Sequence, residues 1–496
     1  MSQRWYGLVM LVTAACYLVL GAWLPPLDDE LYYWCWAQTP QLSYFDHAPL
    51  SGWFVAASTA AFGNSVLAIR LPAIFTSLVV VGCLGRLMRP ATLWPWVILT
   101  PLFTFGAVLL TPDTPLLLFW MLYLVWLIAA HRRLTPSPGT IGRIPPALWL
   151  LGGVLLGCGA LGKYTMALTV PGSFVSFLLA APRHWRAWLP GYVGHGLVSL
   201  VLFTPVIVFN YQHDFAPIRF QWEHATASDS VWWKTAPEFI GIQILLFGLL
   251  PLVLLPWTVT NVRALARDPR LRVCAAMYAV PFAFFLYKSF RGPLEGNWAL
   301  AAYLGFWPVA AHWHGTACPP RFRTAARMIG LGVPFVVVIG AAVHLVRPLE
   351  FIPVSGDRIT RQAPRLEAVR LGAEAVKRDG RPLPVFTPTY QLTALLRYNG
   401  VNAKQMYAEP GGLLPGHTRP SHFTLPPESH LDCDEFYVWN EEALHGELSR
   451  GLAPAVVLGS FPVVVRGVEV SAYRLLYYRK LKPGDGGDKT GGGVKP

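Results

Sequence analysis

Trp23-Leu24-Pro25-Pro26-Leu27-Asp28-Asp29-Glu30-Leu31-Tyr32-Tyr33-Trp34 closes the first apolar run of the chain and sets three adjacent carboxylates directly after it. The run itself, residues 5–24, has the ~20-residue length that crosses a bilayer. One early Arg precedes it, and no small-residue cleavage pattern stands before the two prolines, so it reads as a retained span. Working outward, apolar runs recur near 65–85, 93–111, 115–130, 147–161, 165–181, 189–209, 238–259, 273–288, 298–311 and 328–346. With the N-terminus inside, the inward turns hold Arg86/Arg89, His131-Arg132-Arg133/Arg143, Arg183/His184/Arg186, Arg263/Arg267/Arg270/Arg272 and Arg321/Arg323/Arg327. All are basic, as the orientation rule demands. The expected fold class is a polytopic α-helical membrane protein of about eleven spans.

Composition agrees. Of 496 residues, 54% are hydrophobic and 14% charged, where a soluble domain carries about 25% charged residues. The net charge of +13 is scattered over short turns and forms no stripe, which excludes a nucleic-acid partner. Most cysteines (Cys16, Cys83, Cys158, Cys274) sit in apolar runs, with no CxxC and no zinc-site spacing. Cys35 and Cys433 fall on the outer side, and nothing in their spacing indicates a pair.

The outward segments are of another kind. Residues 25–64 and 210–237 are long and rich in tryptophan (Trp34, Trp36, Trp53, Trp222, Trp232, Trp233), which suits an interfacial belt and short surface helices. From about 350 the pattern changes to helical (Leu366 to Lys377) and alternating stretches (Val385 to Thr387, Ala455 to Val465). The expected organisation is a membrane domain over 1–346 with outer loops 25–64 and 210–237, a small α/β extracytoplasmic domain over 347–483, and a flexible Gly/Asp/Lys tail over 484–496. The expected location is the inner or plasma membrane, with the chemistry facing outward.

The candidate residues crowd that face. Three carboxylates at a membrane surface repel one another, so Asp28, Asp29 and Glu30 need a metal, a cation or a shared proton. They supply a general base and a metal ligand, or they are solvated acids of an outer loop. In Tyr44-Phe45-Asp46-His47-Ala48-Pro49-Leu50 the Asp46/His47 pair can hold a divalent ion or orient a phosphate. A helix start with Asp46 as cap is the plainer account. Asp113, in Thr111-Pro112-Asp113-Thr114-Pro115, is a helix cap or a further site carboxylate. Outer-face cations are scarce: Arg70, Lys163 beside Tyr164, Arg219, and Lys288 and Arg291 ahead of Gly292-Pro293-Leu294-Glu295-Gly296-Asn297-Trp298. Each is set against the orientation rule and calls for an anion, either a lipid phosphate or one of these carboxylates.

Taken in order, these pieces resemble the membrane glycosyltransferases of the GT-C fold, specifically bacterial proteins of glycosyltransferase family 39. That family includes relatives of protein O-mannosyltransferases and of the aminoarabinose transferase that modifies lipid A. Asp29-Glu30-Leu31-Tyr32-Tyr33-Trp34, Arg70-Leu71-Pro72, Gly162-Lys163-Tyr164-Thr165, Phe209-Asn210, Asn297-Trp298, Tyr390-Gln391 and Arg419-Pro420-Ser421-His422-Phe423 carry the likeness, along with the Asp46 and Asp113 segments. Ala48 departs from it, since the family usually has a second Pro after the Asp-His pair. The resemblance implies a sugar donor linked to polyprenyl phosphate, inversion at the anomeric carbon and no nucleotide cofactor. Asp29, with Glu30 and Asp113, takes the catalytic positions. Lys163, Arg219, Lys288 and Arg291 are the expected phosphate contacts, Asp46 and His47 the candidate ligands of a divalent metal. Arg70, Tyr164, Asn297 and Trp298 complete the site. The expected acceptor is a lipid or cell-envelope glycan. Protein O-mannosylation uses the same motifs, and a lipid or solute transporter is the rival from another class, although its mid-membrane ionisable residues are not what the sequence offers.

Overall fold

The computed structural model describes residues 3–88, 93–137, 139–226, 232–292, 294–406, 421, 423, 434–441 and 455–479. Arg89, Pro293, Cys433, most of the 419–423 segment and the tail from 484 lie outside them. The chain divides into two compact units, residues 1–24 with 36–342 and residues 25–35 with 343–496. Residues 25–35, expected as part of a membrane-domain loop, therefore group with the C-terminal unit.

Among the described residues, five helices are long and apolar enough to cross a membrane: Gln3–Trp23, Val66–Leu87, Asp113–Leu134, Pro269–Ser289 and Pro320–Val346. Two bent pairs, Leu189–Leu202 with Thr204–Gln212 and Trp232–Phe247 with Leu250–Thr260, raise that number to seven. The remaining apolar runs are helical but shorter or broken. Pro146–Gly162 and Tyr164–Ala180 are short, the 93–111 run holds Trp94–Ile98 and Pro101–Thr104, and the 298–311 run is a 3-10 segment leading into Tyr303–His312. The apolar runs are all present as helical segments, but not as eleven straight spans.

The breaks have local causes. Pro205 lacks the N–H that would continue the 189–202 helix, and the axis bends by 47° there. At the 97° bend Gly248 sits at φ 79 with its Cα against the carbonyl oxygen of Gly330, so neither the dihedral nor the space admits a side chain. Asp113–Leu134 is the most enclosed of the long helices, and Trp120, Trp126, Trp149, Trp188 and Trp307 form much of the core around it. By contrast, Gln3–Trp23 buries only Thr13, Tyr17 and Gly21, and its exposed Trp5, Leu11 and Val19 suit contact with lipid.

Several buried polar groups inside this unit are matched to one another, although the Trp120 and Trp307 indole N–H groups and the Tyr303 hydroxyl are not. Tyr123 Oη meets His195 Nε2 at 3.0 Å, Ser176 Oγ meets His131 Nε2 at 3.0 Å, and Arg272 Nη2 meets His131 Nδ1 at 3.2 Å. Without such partners each group would be costly in a low-dielectric interior. The tryptophans of the outward segments split in role. Trp222, Trp232 and Trp233 are exposed, as a belt requires, but Trp36 is fully buried and stacks on Tyr44 at 4.3 Å. Trp36 is a core residue because that stack, with Tyr44 Oη donating to its carbonyl at 3.0 Å, closes the loop ahead of helix Leu50–Phe62.

Among its described residues the second unit holds a five-stranded sheet of β1 (Val385–Thr387), β2 (Ala403–Gln405), β3 (Glu435–Glu441), β4 (Val456–Val465) and β5 (Val468–Arg479), in the order β2-β1-β3-β5-β4. β1 pairs in parallel with β2 and β3, while β5 is antiparallel to β3 and β4. Helix Arg358–Asp379 covers β4 and β5, with Gly372 flat against the buried Trp439 ring. Its N-cap is Asp357, which accepts from Thr360 N at 3.0 Å, His344 Nε2 at 3.0 Å and Arg466 Nη2 at 3.1 Å. Burial alone would raise the Asp357 carboxyl, but the hydrogen bonds from Thr360 and His344 outweigh it and bring it to about 2. The small α/β domain expected from the sequence is this sheet and its helices.

Candidate functional site

Within the first unit, three separate turns meet at one ion pair. Asp113, the first residue of its helix, accepts from Lys163 Nζ at 2.7 Å and from Asn297 Nδ2 at 2.9 Å. Both charged residues are buried, Asp113 5% and Lys163 9% exposed. The helix N-terminus favours the carboxylate, and the ammonium neutralises it. Gly162 allows the approach: a Cβ there would stand 2.9 Å from Pro115 Cβ and 3.1 Å from Leu116 N. Three motifs singled out in the sequence thus form one node. Lys163, expected to seek a lipid phosphate, has a protein carboxylate instead.

The other candidates of this unit take these places. Arg70 is fully buried and donates to Gly21 O at 3.0 Å and Leu24 O at 2.7 Å, closing the C-terminal carbonyls of the first helix. Asp46 is buried, its carbonyl accepting from Gln221, and Tyr164 lies close to it, packed in a small cluster with Ala48 and Leu161. The Asp46–His47 stretch is a turn, closed by Tyr44 N donating to His47 O at 3.2 Å, and the next helix begins only at Leu50 after Pro49. Asp46 is therefore not its cap. Asn210 bridges two helices, donating to Val206 O at 2.9 Å and accepting from Ile218 N at 3.0 Å. Arg219 is exposed on helix Ala216–Thr226 and donates to Asp214 O at 2.8 Å. Lys288 is buried at the end of its helix, Arg291 lies over the Tyr287 ring, and Trp298 packs near Phe239 and Phe285. Among the described residues no three His, Cys, Asp or Glu side chains converge as a metal site would require. Asp46 and His47 are adjacent in their turn, and no third such side chain joins them among the described residues.

The second unit holds the acidic triplet. Helix Asp28–Gln38 begins with it, and each carboxylate has a different environment. Glu30 is 1% exposed and accepts from Leu27 N at 2.9 Å, the reach-back of a capping box, which gives it a structural place. Asp28 pairs with Arg365 and accepts from Gln362 Nε2 at 3.1 Å. Asp29 is exposed and accepts from Tyr390 Oη at 3.1 Å. It lines a groove of about 420 Å³ with Asp28, Arg358, Arg361, Gln391 and Glu441. Arg361 is tied to Glu441 at 2.5 Å and to Ser471 Oγ at 2.8 Å. The sequence reading named Asp29 and Tyr390-Gln391 but missed the arginines. Their spacing at 358, 361 and 365 puts them on one helical face and was legible.

These features define the class: a multi-pass membrane protein with the GT-C fold. Its structure aligns over 99% of its length with all of ArnT from Cupriavidus metallidurans bound to undecaprenyl phosphate, at TM-score 0.64 and 14% identity. The apo form of that protein aligns at TM-score 0.63, 13% identity and 96% of this chain against 97% of that one. Residues 46–209 match the family described as dolichyl-phosphate-mannose-protein mannosyltransferase. The lipid A galacturonosyltransferase RgtD of Rhizobium johnstonii is 24% identical over 418 residues, 80% of this chain and 83% of that protein. Together they make the chain a GT-C protein similar to glycosyltransferase family 39, as its motifs implied.

Proposed function

We propose that the protein transfers a sugar from a polyprenyl-phosphate-linked donor to a lipid or cell-envelope glycan on the outer face of the inner membrane. The observation that carries the reading is Asp29. It alone of the triplet is exposed, in a polar groove and oriented by a tyrosine hydroxyl, while Asp28 is ion-paired and Glu30 caps a helix. A carboxylate so held suits a general base. It takes the acceptor hydroxyl proton as that oxygen attacks the anomeric carbon. The bond from that carbon to the phosphate oxygen breaks, the configuration inverts, and polyprenyl phosphate leaves. Its negative charge calls for a cation in a shielded place. An acceptor that is itself a phosphate needs no base, and Asp29 then positions it. The names of the similar proteins support a glycosyltransferase, and the family matched over 46–209 keeps a protein acceptor as the second reading.

Mass spectrometry of envelope lipids and glycans from cells with and without the gene tests this. The expected change is the loss of one sugar residue's mass from a lipid or glycan. A sugar lost from proteins alone would select the second reading, and no lost sugar anywhere would remove both. Sidedness has its own test. Reporter fusions after Arg133 and Arg270 are expected to report the cytoplasm, and fusions after His224 and Gly380 the outside. A cytoplasmic signal at Gly380 would turn the proposed site to the wrong face.

A further inference from the structure

A groove beside helix Pro269–Ser289 has apolar walls, among them Val175, Leu179, Leu255, Ala279 and Phe282, and encloses about 510 Å³. One charged side chain lines it: Arg272, in the first turn of that helix, where the helix dipole disfavours a cation. Arg272 is 5% exposed and donates to Ala266 O at 2.8 Å, His131 Nδ1 at 3.2 Å and Thr135 Oγ1 at 3.4 Å. None of these is a carboxylate, and its Nε has no partner among the described residues. Asp268, whose charge reaches Arg272, is engaged instead as the helix N-cap, by Arg270 N at 2.8 Å and Leu271 N at 3.4 Å. A guanidinium so buried, with no acid in contact, calls for an anion. The neighbourhood carries the same sign. Helix Val262–Arg267 borders this end of the groove through Val262, Leu265 and Ala266, and it bears the exposed Arg263 and Arg267.

This end is remote from the proposed reaction. Lys288 stands sixteen residues further along the helix, about 24 Å by helical rise, most of the ~30 Å hydrocarbon thickness. A phosphate at Arg272 therefore belongs to the opposite leaflet from one at the outer turn after Ser289. An apolar occupant would leave the guanidinium unmatched, and a soluble anion would leave the apolar walls unfilled. A zwitterionic head would bring its own ammonium against three arginines.

We propose that this groove binds an anionic glycerophospholipid of the cytoplasmic leaflet, with an acyl chain between the apolar walls and its phosphate on Arg272, in the field of Arg263 and Arg267. The site is separate from the proposed reaction and shares with it only the sidedness that the reporter fusions test.

The test uses delipidated full-length protein in detergent, titrated with phosphatidylglycerol or with phosphatidylcholine of the same acyl chains, and bound lipid is counted by native mass spectrometry. Wild type is expected to prefer phosphatidylglycerol by about tenfold or more, the worth of a charge-assisted hydrogen bond. Arg272→Gln is expected to remove most of that preference. The double variant Arg263→Gln, Arg267→Gln changes only exposed side chains and is expected to cut it by about fivefold or more. Ala279→Trp fills the groove, leaves every arginine in place and is expected to abolish binding of both phospholipids. A saturating excess of polyprenyl phosphate is expected to leave phosphatidylglycerol bound. Equal affinity for the two phospholipids, a preference unchanged in both arginine variants, or phospholipid retained by Ala279→Trp overturns the proposal. Displacement by polyprenyl phosphate overturns it too, by assigning the groove to the donor. Should Arg272→Gln fail to fold, the double variant and Ala279→Trp decide.

Discussion

Asp29→Asn is expected to lower turnover by about 10²–10⁴-fold with donor binding retained, the range for removal of a general base. The substitution keeps the shape of the side chain and its capacity to accept from Tyr390 Oη, 3.1 Å away, so the helix start is preserved. What is lost is the charge that takes the proton. Asp28→Asn and Glu30→Gln provide the contrast. Asp28 is ion-paired with Arg365, and Glu30 is buried under Leu27 N, so their effects belong to stability. Turnover is measured with saturating donor, and donor binding by titration of the purified variant. Activity near wild type in Asp29→Asn would mean that the acceptor arrives already ionised or that the carboxylate is structural.

Lys163→Ala is expected to cost about 3–5 kcal/mol of stability, because it leaves Asp113 buried without its counter-charge. Asn297 still donates to that carboxylate at 2.9 Å, but a neutral amide does not replace an ammonium at 2.7 Å. Asp113→Asn in the Lys163→Ala background is expected to recover most of the loss, since it removes the stranded charge. Thermal unfolding of the single and double variants measures this coupling. Polyprenyl phosphate binding to folded Lys163→Ala protein is expected to equal that of wild type. Weakened lipid binding with undiminished stability would return Lys163 to the phosphate site.

Hydropathy is written locally, so the apolar runs that become helices were legible residue by residue, though not where they break. The 366–377 part of helix Arg358–Asp379, the strands of 385–387 and 456–465, and the exposed Trp222, Trp232 and Trp233 were legible for the same reason. What the sequence withheld were the partners. Asp113 lies 50 residues from Lys163 and 184 from Asn297, and no spacing rule joins them. Arg70 looked like a cation awaiting an anion, and nothing in its spacing announced the backbone carbonyls of Gly21 and Leu24 to which it donates. The bends were hidden in single residues, a proline at 205 and a glycine at 248, inside runs whose apolar content was unbroken.

The grouping of residues 25–35 with residues beyond 343 has a consequence for synthesis. The ribosome delivers Asp28 early and Arg365 hundreds of residues later, so at about 5–20 residues per second the early segment waits on the order of 15–60 s for its partner. During that interval Asp28 stands without Arg365. A chain cut short before Arg365 would keep its membrane helices yet never complete the surroundings of Asp28. Nor can the C-terminal portion be moved to another protein with a single cut. Its eleven-residue contribution from the far end of the gene would have to travel with it.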